Sequence, residues 1–525
     1  MSFVDKRSDF SDKDIKSISS AQTLSGKDRD TIPFRIETIQ NMLQGSKLDS
    51  LVDFDNCDTE AFIMSKQFSS GNDSDNSKDS KDPNNSIKKQ TKNFCKIIKK
   101  MGGSISYVKS GTSGHIFQGG IAIDENSTLD YGVKVVAYPK NGNYGNIYDP
   151  KRPENAELAM IKLLSYFVVK KQTPHIVLPI CTFNTSIKPF IKILEDDNSD
   201  DADDKSYIKN NEKYNDFVER YKNNEFYDQV SILISEWANR GDLLDFIRRM
   251  YKTFKPYHWK VLFFQVISTL AVIQSKFPSF RHNDLKANNI LIHKINKNSK
   301  NPKFLYKVVK SEYRVNNIGY LIKLWDFDFA CIPGIVDNAK VECAWTTKIN
   351  VTPDQNRYYD VHYFFNTLIK KGFFPQFMTE DCIPQEAKDF VNRIVPPKYQ
   401  TLSDCVHKRG RILVQEEYLT PDEILKTDPY FEEFRKQKSS TTRSRTRKLT
   451  LRPSSNTNTK TKSKSSSIRK TSGKTSTKTN LKTNLKTNLK TPAKTNIKPS
   501  TQTKSQSKKT TDASPFITYK LNKSR

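Results

Sequence analysis

Residues 281–292 read RHNDLKANNILI, and no other stretch narrows so far what this chain can fold into. An aspartate (Asp284), a lysine two positions on (Lys286) and an asparagine five positions on (Asn289) stand ahead of an apolar, β-type run. A second segment, LWDFDFA at 324–330, puts Asp326 just after another strand-like run, 321–325. Phosphoryl transfer needs this set of parts. One carboxylate orients the acceptor hydroxyl and takes its proton, a cation neutralises the moving phosphoryl group, and an amide with a second carboxylate holds Mg²⁺. Turn-capping by Asp and Asn on two surface loops is the plainer reading. It accounts for single residues, but not for four in order with apolar flanks on both segments.

Around these segments the composition is uneven. The 525 residues include 87 lysines and arginines against 58 acids, a net charge of +29. From Lys438 to Arg525 there are 24 basic residues and one acid, Asp512, so the basic excess belongs mostly to a tail. That tail holds tandem TNLK units around 479–492, whose period of four is too short to gather an apolar face. It reads as disordered, as do residues 1–30 and the Ser/Asn/Asp/Lys-rich stretch 68–91. Residues 31–66 carry enough apolar side chains for a helix or two. The expected division is a partly disordered N-terminal extension at 1–93, a globular domain at 94–436 and a basic tail at 437–525. Two insertions interrupt the globular part, EDDNSDDADD at 195–204 and KINKNSKNPK at 294–303. The acidic one lacks the glycine and closing glutamate of a calcium loop. Seven scattered cysteines without a CxxC pair read as reduced thiols, not a disulfide framework or a zinc site. The N-terminus has no apolar signal region, and no run approaches the roughly 20 apolar residues of a membrane helix. A soluble intracellular protein is expected.

In the globular part, alternation places strands at 104–108, 115–123 and 131–137, with short strand-like runs at 177–183 and 230–235. Residues 155–169 and 258–274 space their apolar side chains as helices do, the second through Leu262, Phe263, Val266 and Leu270. A small β-rich half followed by a larger helical half predicts an α+β, two-lobed architecture.

In that setting the two segments resemble the catalytic loop, HRDLKxxN, and the metal-binding DFG segment of protein kinases. Other landmarks of the family follow in order. VKSGTSGHIF at 108–117 resembles the glycine-rich loop, with Gly111 and Gly114 admitting phosphates close to backbone and Lys109 in place of the first glycine. YGVKVVAY at 131–138 resembles the strand whose lysine, here Lys134, holds the α- and β-phosphates. A lysine in an apolar strand needs a partner. The resemblance implies a helix glutamate, Glu157, with Glu154 one turn earlier as the alternative. ILISEWANRGDLLDFI at 232–247 resembles the hinge, which implies that backbone groups from Glu236 to Ala238 meet adenine. Asp242 then lies near the ribose, or else caps the next helix. RYYDVHYFFNTL at 357–368 resembles the helix whose aspartate, Asp360, braces the catalytic loop, and LTPDEILKTDPYFEE at 419–433 resembles the closing helix pair.

The resemblance spans roughly 103–436 and implies a bilobal protein-kinase-like fold, with a small β-rich N-lobe and a larger helical C-lobe. It implies an ATP- and Mg²⁺-dependent serine/threonine protein kinase acting on protein hydroxyls. Asp284 and Lys286 would be catalytic and Asn289 and Asp326 metal-binding; Gly111, Gly114, Lys134, Glu157, Glu236, Ala238 and Asp242 would hold the nucleotide. Departures stand out. Asn283 replaces the arginine that clamps an activation-loop phosphate, which removes that on-switch. Asp328 replaces the glycine of DFG, losing tolerance for φ > 0 and adding a third carboxylate. No APE motif occurs, and TPD at 352–354 is a poor substitute. The pairing of HNDLK with DFDFA resembles the divergent serine/threonine kinases of poxviruses and other large DNA viruses, which implies the host cytoplasm and packaging in the virion. Choline and aminoglycoside kinases share the fold and the HxD…N pattern; Lys286 and the glycine loop speak for a protein acceptor. A catalytically dead scaffold is a third reading. Residues 438–525 would bind RNA, DNA or anionic lipid in a salt-sensitive way without reading sequence, and their Ser and Thr make them an autophosphorylation target. All of this requires that Asp284 and Asp326 meet and that Lys134 points at them.

Overall fold

The computed structural model describes residues 31–55, 59–60, 62, 89–103, 105–111, 114–124, 127–193, 211–295 and 302–435. The expectations for 1–30, for the acidic insertion and for the basic tail lie outside these residues. The first part of the chain runs α1 (Ile32–Ser46), α2 (Phe94–Lys100), β1 (Ile105–Ser110), β2 (His115–Asp124), β3 (Ser127–Pro139), α3 (Pro153–Val169), β4 (Pro179–Ser186), α4 (Glu212–Lys222) and β5 (Phe226–Glu236). Its five strands form one antiparallel sheet in the order β1-β2-β3-β5-β4. β3 is central and covered on both faces, so Val133 and Val135 are buried on one side and Lys134 on the other.

The rest contains α5 (Leu243–Met250), α6 (Pro256–Lys276), β6 (Ile290–Lys294), β7 (Lys303–Val308), β8 (Ser311–Asn316), β9 (Tyr320–Leu324), α7 (Tyr359–Leu368), α8 (Gln385–Ile394) and α9 (Pro421–Thr427). α6 is buried almost all round, as its apolar sequence demands. Its Trp259, Phe263 and Phe264 rings pack on Phe377, Phe365 and Phe431 with centroids 5.1, 5.0 and 5.8 Å apart. The protein is therefore α+β, sheet-rich in its N-terminal part and helical in its C-terminal part, compatible with a kinase-like arrangement. Among the described residues no helix is long and apolar enough to cross a membrane.

The sequence sets residues 31–55 apart from the globular part; in the structure they pack against it. Thr31 caps α1 by accepting the Phe34 N–H, and Ile39, Met42 and Leu43 form a buried stripe at helical spacing. Beyond the helix, Leu51 N–H donates to the Ile180 carbonyl at 3.1 Å, and Lys92 N–H to that of Asn184 at 2.8 Å. The extension thus lies along β4. Elements that went unread in the sequence include the β7–β8 hairpin and α4, whose Phe217 ring sits 4.3 Å from His115 at the root of the β1–β2 turn.

Candidate active site

β6 and β9 deliver the two polar segments to one place. Their antiparallel register sets Ile290 opposite Leu324, and Trp325 N–H donates to the Asn289 carbonyl at 3.1 Å. The next residue, Asp326, accepts from Lys134 Nζ at 2.7 Å. Lys134 also donates to Glu157 Oε1 of α3 at 2.5 Å, while Glu154 pairs instead with Arg152 at 2.8 Å. Lys134 is only 3% exposed, so this charge is compensated within the protein. Burial alone would push the ammonium down, but Asp326 and Glu157 hold it above the usual lysine range. Burial would likewise raise Asp326, yet the Lys134 charge prevails and holds its carboxyl down to about 2. For Glu157 burial prevails over Lys134, Asp326 and Asp328 add to it, and the carboxyl is pushed up to about 7.

Asp284 is held by three side chains. Asn289 Nδ2 donates to its carboxylate at 3.0 Å and to its carbonyl at 2.9 Å, and Lys286 Nζ reaches the same carboxylate oxygen at 2.8 Å. Arg411 grips the other oxygen. Below the loop, buried Asp360 at the start of α7 accepts the N–H groups of His282 and Asn283 at 2.7 and 2.9 Å. His282 Nε2–H donates to the Trp325 carbonyl at 3.0 Å, a second tie between the two segments. Asn283 and Asp326 both adopt left-handed backbone, φ 62° and 61°. Asparagine and aspartate are the non-glycine residues that adopt it most readily.

With Nδ2 of Asn289 committed to Asp284, its Oδ1 is the amide atom left to face a cation. Together with Asp326 it makes a pair of hard oxygen donors that fits Mg²⁺, which takes one or two protein ligands and completes its shell with phosphate and water. Among the described residues no cluster of three or more His, Cys, Asp or Glu forms a metal cage of protein ligands alone.

Gly111 N–H donates to the Gly114 carbonyl at 2.8 Å, closing the β1–β2 turn. A Cβ at Gly114 would come within 2.4 Å of the Val135 carbonyl oxygen, so only glycine lets the turn lie this close to β3. Lys109 spans to Asp242 at 3.3 Å. Asp242 also caps α5 through the Asp245 N–H, so the helix-cap reading of that residue is realised. The Glu236 side chain turns to Arg35, Lys323 and the Leu178 N–H, and its own backbone N–H donates to the Leu178 carbonyl at 3.0 Å; Ala238 is buried two residues on. Asp328 adopts no positive φ, so loss of the DFG glycine strains nothing there; its carboxylate is taken up by Lys340.

The profile of the poxvirus serine/threonine protein kinase family matches residues 144–394. A protein of Acanthamoeba polyphaga mimivirus named as a serine/threonine-protein kinase is 44% identical over 437 residues, 82% of this chain and 87% of that one. The chain belongs to the viral serine/threonine protein kinases. A second mimivirus protein of like name is 24% identical to this kinase over 360 residues, 62% of this chain and 87% of the other.

In this kinase the arginine missing at position 283 has a neighbour in its place. Arg281 is fully buried and donates to Thr352 Oγ1 at 3.0 Å and to the carbonyls of Asp354 at 3.1 Å and Asn350 at 2.6 Å. Its guanidinium lies 3.7 Å from the Tyr359 ring centroid, and its backbone pairs with Cys331. Asn283 Nδ2 adds bonds to the carbonyls of Phe329 and Thr352. TPD at 352–354 is therefore an anchor for Arg281. The roles of Arg281, Arg411 and Arg35 escaped the sequence reading, since each guanidinium meets its hydrogen-bond partners at least 48 positions away, even though Arg281 opens the 281–292 motif.

Proposed function

We propose that this kinase transfers the γ-phosphate of ATP, with Mg²⁺, to serine and threonine hydroxyls of proteins. Its catalytic unit is taken as a bilobal protein-kinase-like domain over 94–436 with residues 31–55 packed on it. The observation that carries the reading is buried Lys134 held between Glu157 and Asp326, while Trp325, directly before Asp326, bonds to Asn289 of the loop bearing Asp284. Bound ATP supplies the electrophilic phosphorus and its leaving group. Lys134, kept charged above all by Asp326, binds the non-transferred phosphates, and Glu157 aims it. Asn289 and Asp326 would hold the Mg²⁺. Gly111 and Gly114 bring backbone over the phosphates, the backbone of Glu236 to Ala238 meets adenine, and Asp242 lies at the ribose edge. Asp284 accepts the acceptor's proton on a lone pair its donors leave open, and Lys286, already on Asp284, steadies the γ-phosphoryl.

Replacing Asp284 with alanine tests this. Phosphate transfer should fall by about 10²- to 10⁴-fold, as loss of a positioned base does. Binding of MgADP, followed by thermal shift, should stay close to wild type. Transfer that survived the change would remove Asp284 from the role. The basic tail is proposed to bind nucleic acid or anionic surfaces without sequence preference. The viral kinships suit action in the host cytoplasm, with packaging in the virion.

A further inference from the structure

Arg35 of α1 makes four hydrogen bonds far from its own segment. Nε donates to Glu236 Oε2 at 2.8 Å, one terminal nitrogen to Glu236 Oε1 and to the Ile176 carbonyl at 3.0 Å, and the other to the Pro174 carbonyl at 3.0 Å. Glu236 ends β5, directly before the hinge residues Trp237 and Ala238. Its Oε1 also accepts the Leu178 N–H at 2.9 Å and faces Lys323 Nζ at 3.3 Å. Lys323 belongs to β9, three residues before Asp326. The 174–178 segment is itself bonded to β9, with Leu324 N–H donating to the His175 carbonyl at 2.8 Å and Val177 N–H to that of Leu324 at 3.3 Å. One guanidinium therefore ties the hinge end of β5 to the strand that delivers Asp326.

We infer that Arg35 is a positioning residue for nucleotide binding, through which the N-terminal helix sets the hinge against the strand leading to Asp326. This deepens the hinge reading above and rests on it. The planar fork of arginine matches both carboxylate oxygens and still reaches two carbonyls, which lysine cannot do. The junction is dry: the Arg35 side chain is 9% exposed and that of Lys323 is 2% exposed. Burial opposes the Glu236 charge, but Arg35 and Lys323 prevail and hold its carboxyl down to about 2, so the junction stays ionic at all working pH values. Without Arg35, Glu236 keeps Lys323 and the Leu178 N–H, so the hinge loses its two-pronged anchor without exposing an unpaired charge. Adenine would then meet backbone groups free to shift, while the catalytic loop, braced separately by Asp360, keeps its shape.

The test uses the full chain with Arg35→Met, Arg35→Lys, Glu236→Gln and the double variant Arg35→Met/Glu236→Gln. MgADP affinity is measured by calorimetry, beside KM for ATP, KM for a protein acceptor and kcat. Arg35→Met should weaken MgADP and raise KM for ATP roughly tenfold, with kcat and the acceptor KM within about twofold of wild type. Arg35→Lys should fall between, and the double variant should lose less than the two single variants summed, since they share the Arg35–Glu236 contact while the bonds of Arg35 to the Pro174 and Ile176 carbonyls are its own. Unchanged nucleotide affinity in Arg35→Met, or an equal loss across kcat and both KM values, overturns the inference. If Arg35→Met proves too unstable to assay, wild-type affinity in Arg35→Lys does the same. A wild-type chain that binds MgADP but transfers no phosphate sinks the proposed function instead, and the binding series still decides the role of Arg35.

Discussion

Arg411→Ala should cost catalysis far more than nucleotide binding. The guanidinium grips one Asp284 oxygen, donates to Tyr363 OH at 2.8 Å and to the Asn283 carbonyl at 3.3 Å, and lies 4.3 Å from the Tyr363 ring centroid. Its side chain is 7% exposed and that of Asp284 12%. Removing one partner of such a buried pair costs about 3–5 kcal/mol when the other is left alone. Asp284 retains Lys286 and Asn289, both on its other oxygen, which puts the stability loss at the lower end, about 3 kcal/mol. The freed oxygen lets the carboxylate rotate, and a misplacement on the order of 1 Å at a reacting group costs roughly 10²-fold in rate. The expected result is kcat down about 100-fold. KM for ATP should be unchanged, because Arg411 touches neither Lys134 nor the glycine turn. Arg411→Lys keeps the charge without the fork and should lose about tenfold. Initial rates of labelled phosphate transfer, with urea unfolding of the same samples, separate rate from stability. A kcat within twofold of wild type would refute the role of Arg411, and a rise in kcat would show that it blocks Asp284 instead of aiming it.

Three further outcomes follow from other contacts. Arg281→Met removes three hydrogen bonds to residues 350–354, so it should raise the protein-acceptor KM more than the ATP KM and open 329–354 to limited proteolysis. Phosphatase treatment of the wild type should leave its rate intact, and a large loss would mean that a phosphate, not Arg281, holds the segment. His175 is buried, donates from Nδ1 to the Ile322 carbonyl at 3.0 Å and accepts Tyr306 OH at Nε2 at 3.0 Å; burial lowers its pKa to about 3. The unfolded chain therefore takes up a proton below pH 6.5 that the fold refuses, and stability from this group falls by about 1.4 kcal/mol per pH unit as pH drops toward 3. His175→Gln should flatten the dependence of the urea midpoint on pH by one proton, and an unaltered slope would contradict it. A chain ending at residue 436 should still phosphorylate a basic protein but lose salt-sensitive binding to nucleic acid; a dead truncation would make the tail part of the enzyme.

What could be read from the sequence was whatever repeats locally. The alternation of β3 around Lys134 and the all-round apolar surface of α6 state their own periods, and 281–292 puts three reactive side chains, Asp284, Lys286 and Asn289, within six residues. Glu157 and Glu154 lie on one helix face, so only the coordinates distinguish the partner of Lys134 from that of Arg152. The β7–β8 hairpin alternates clearly, burying Tyr306, Val308, Tyr313 and Val315, but its turn places Val309 at φ 54°. A β-branched residue stands where Asn or Gly would normally announce a hairpin, so the turn gives no signal. Arg35 and Arg411 are lone basic residues in unremarkable stretches and Arg281 only heads the catalytic-loop segment, and what makes all three matter is which carbonyls and carboxylates the fold brings to them. Tertiary position of that kind has no local pattern.

The most direct measurement is to offer purified protein γ-labelled ATP and Mg²⁺ with casein-like and basic proteins, choline and an aminoglycoside as acceptors, beside the Lys134→Met variant. Label on serine and threonine of protein, dependent on Mg²⁺ and lost in Lys134→Met, is the expected result. Label on choline or the aminoglycoside alone, or none on any acceptor from a chain that binds the nucleotide, would contradict it.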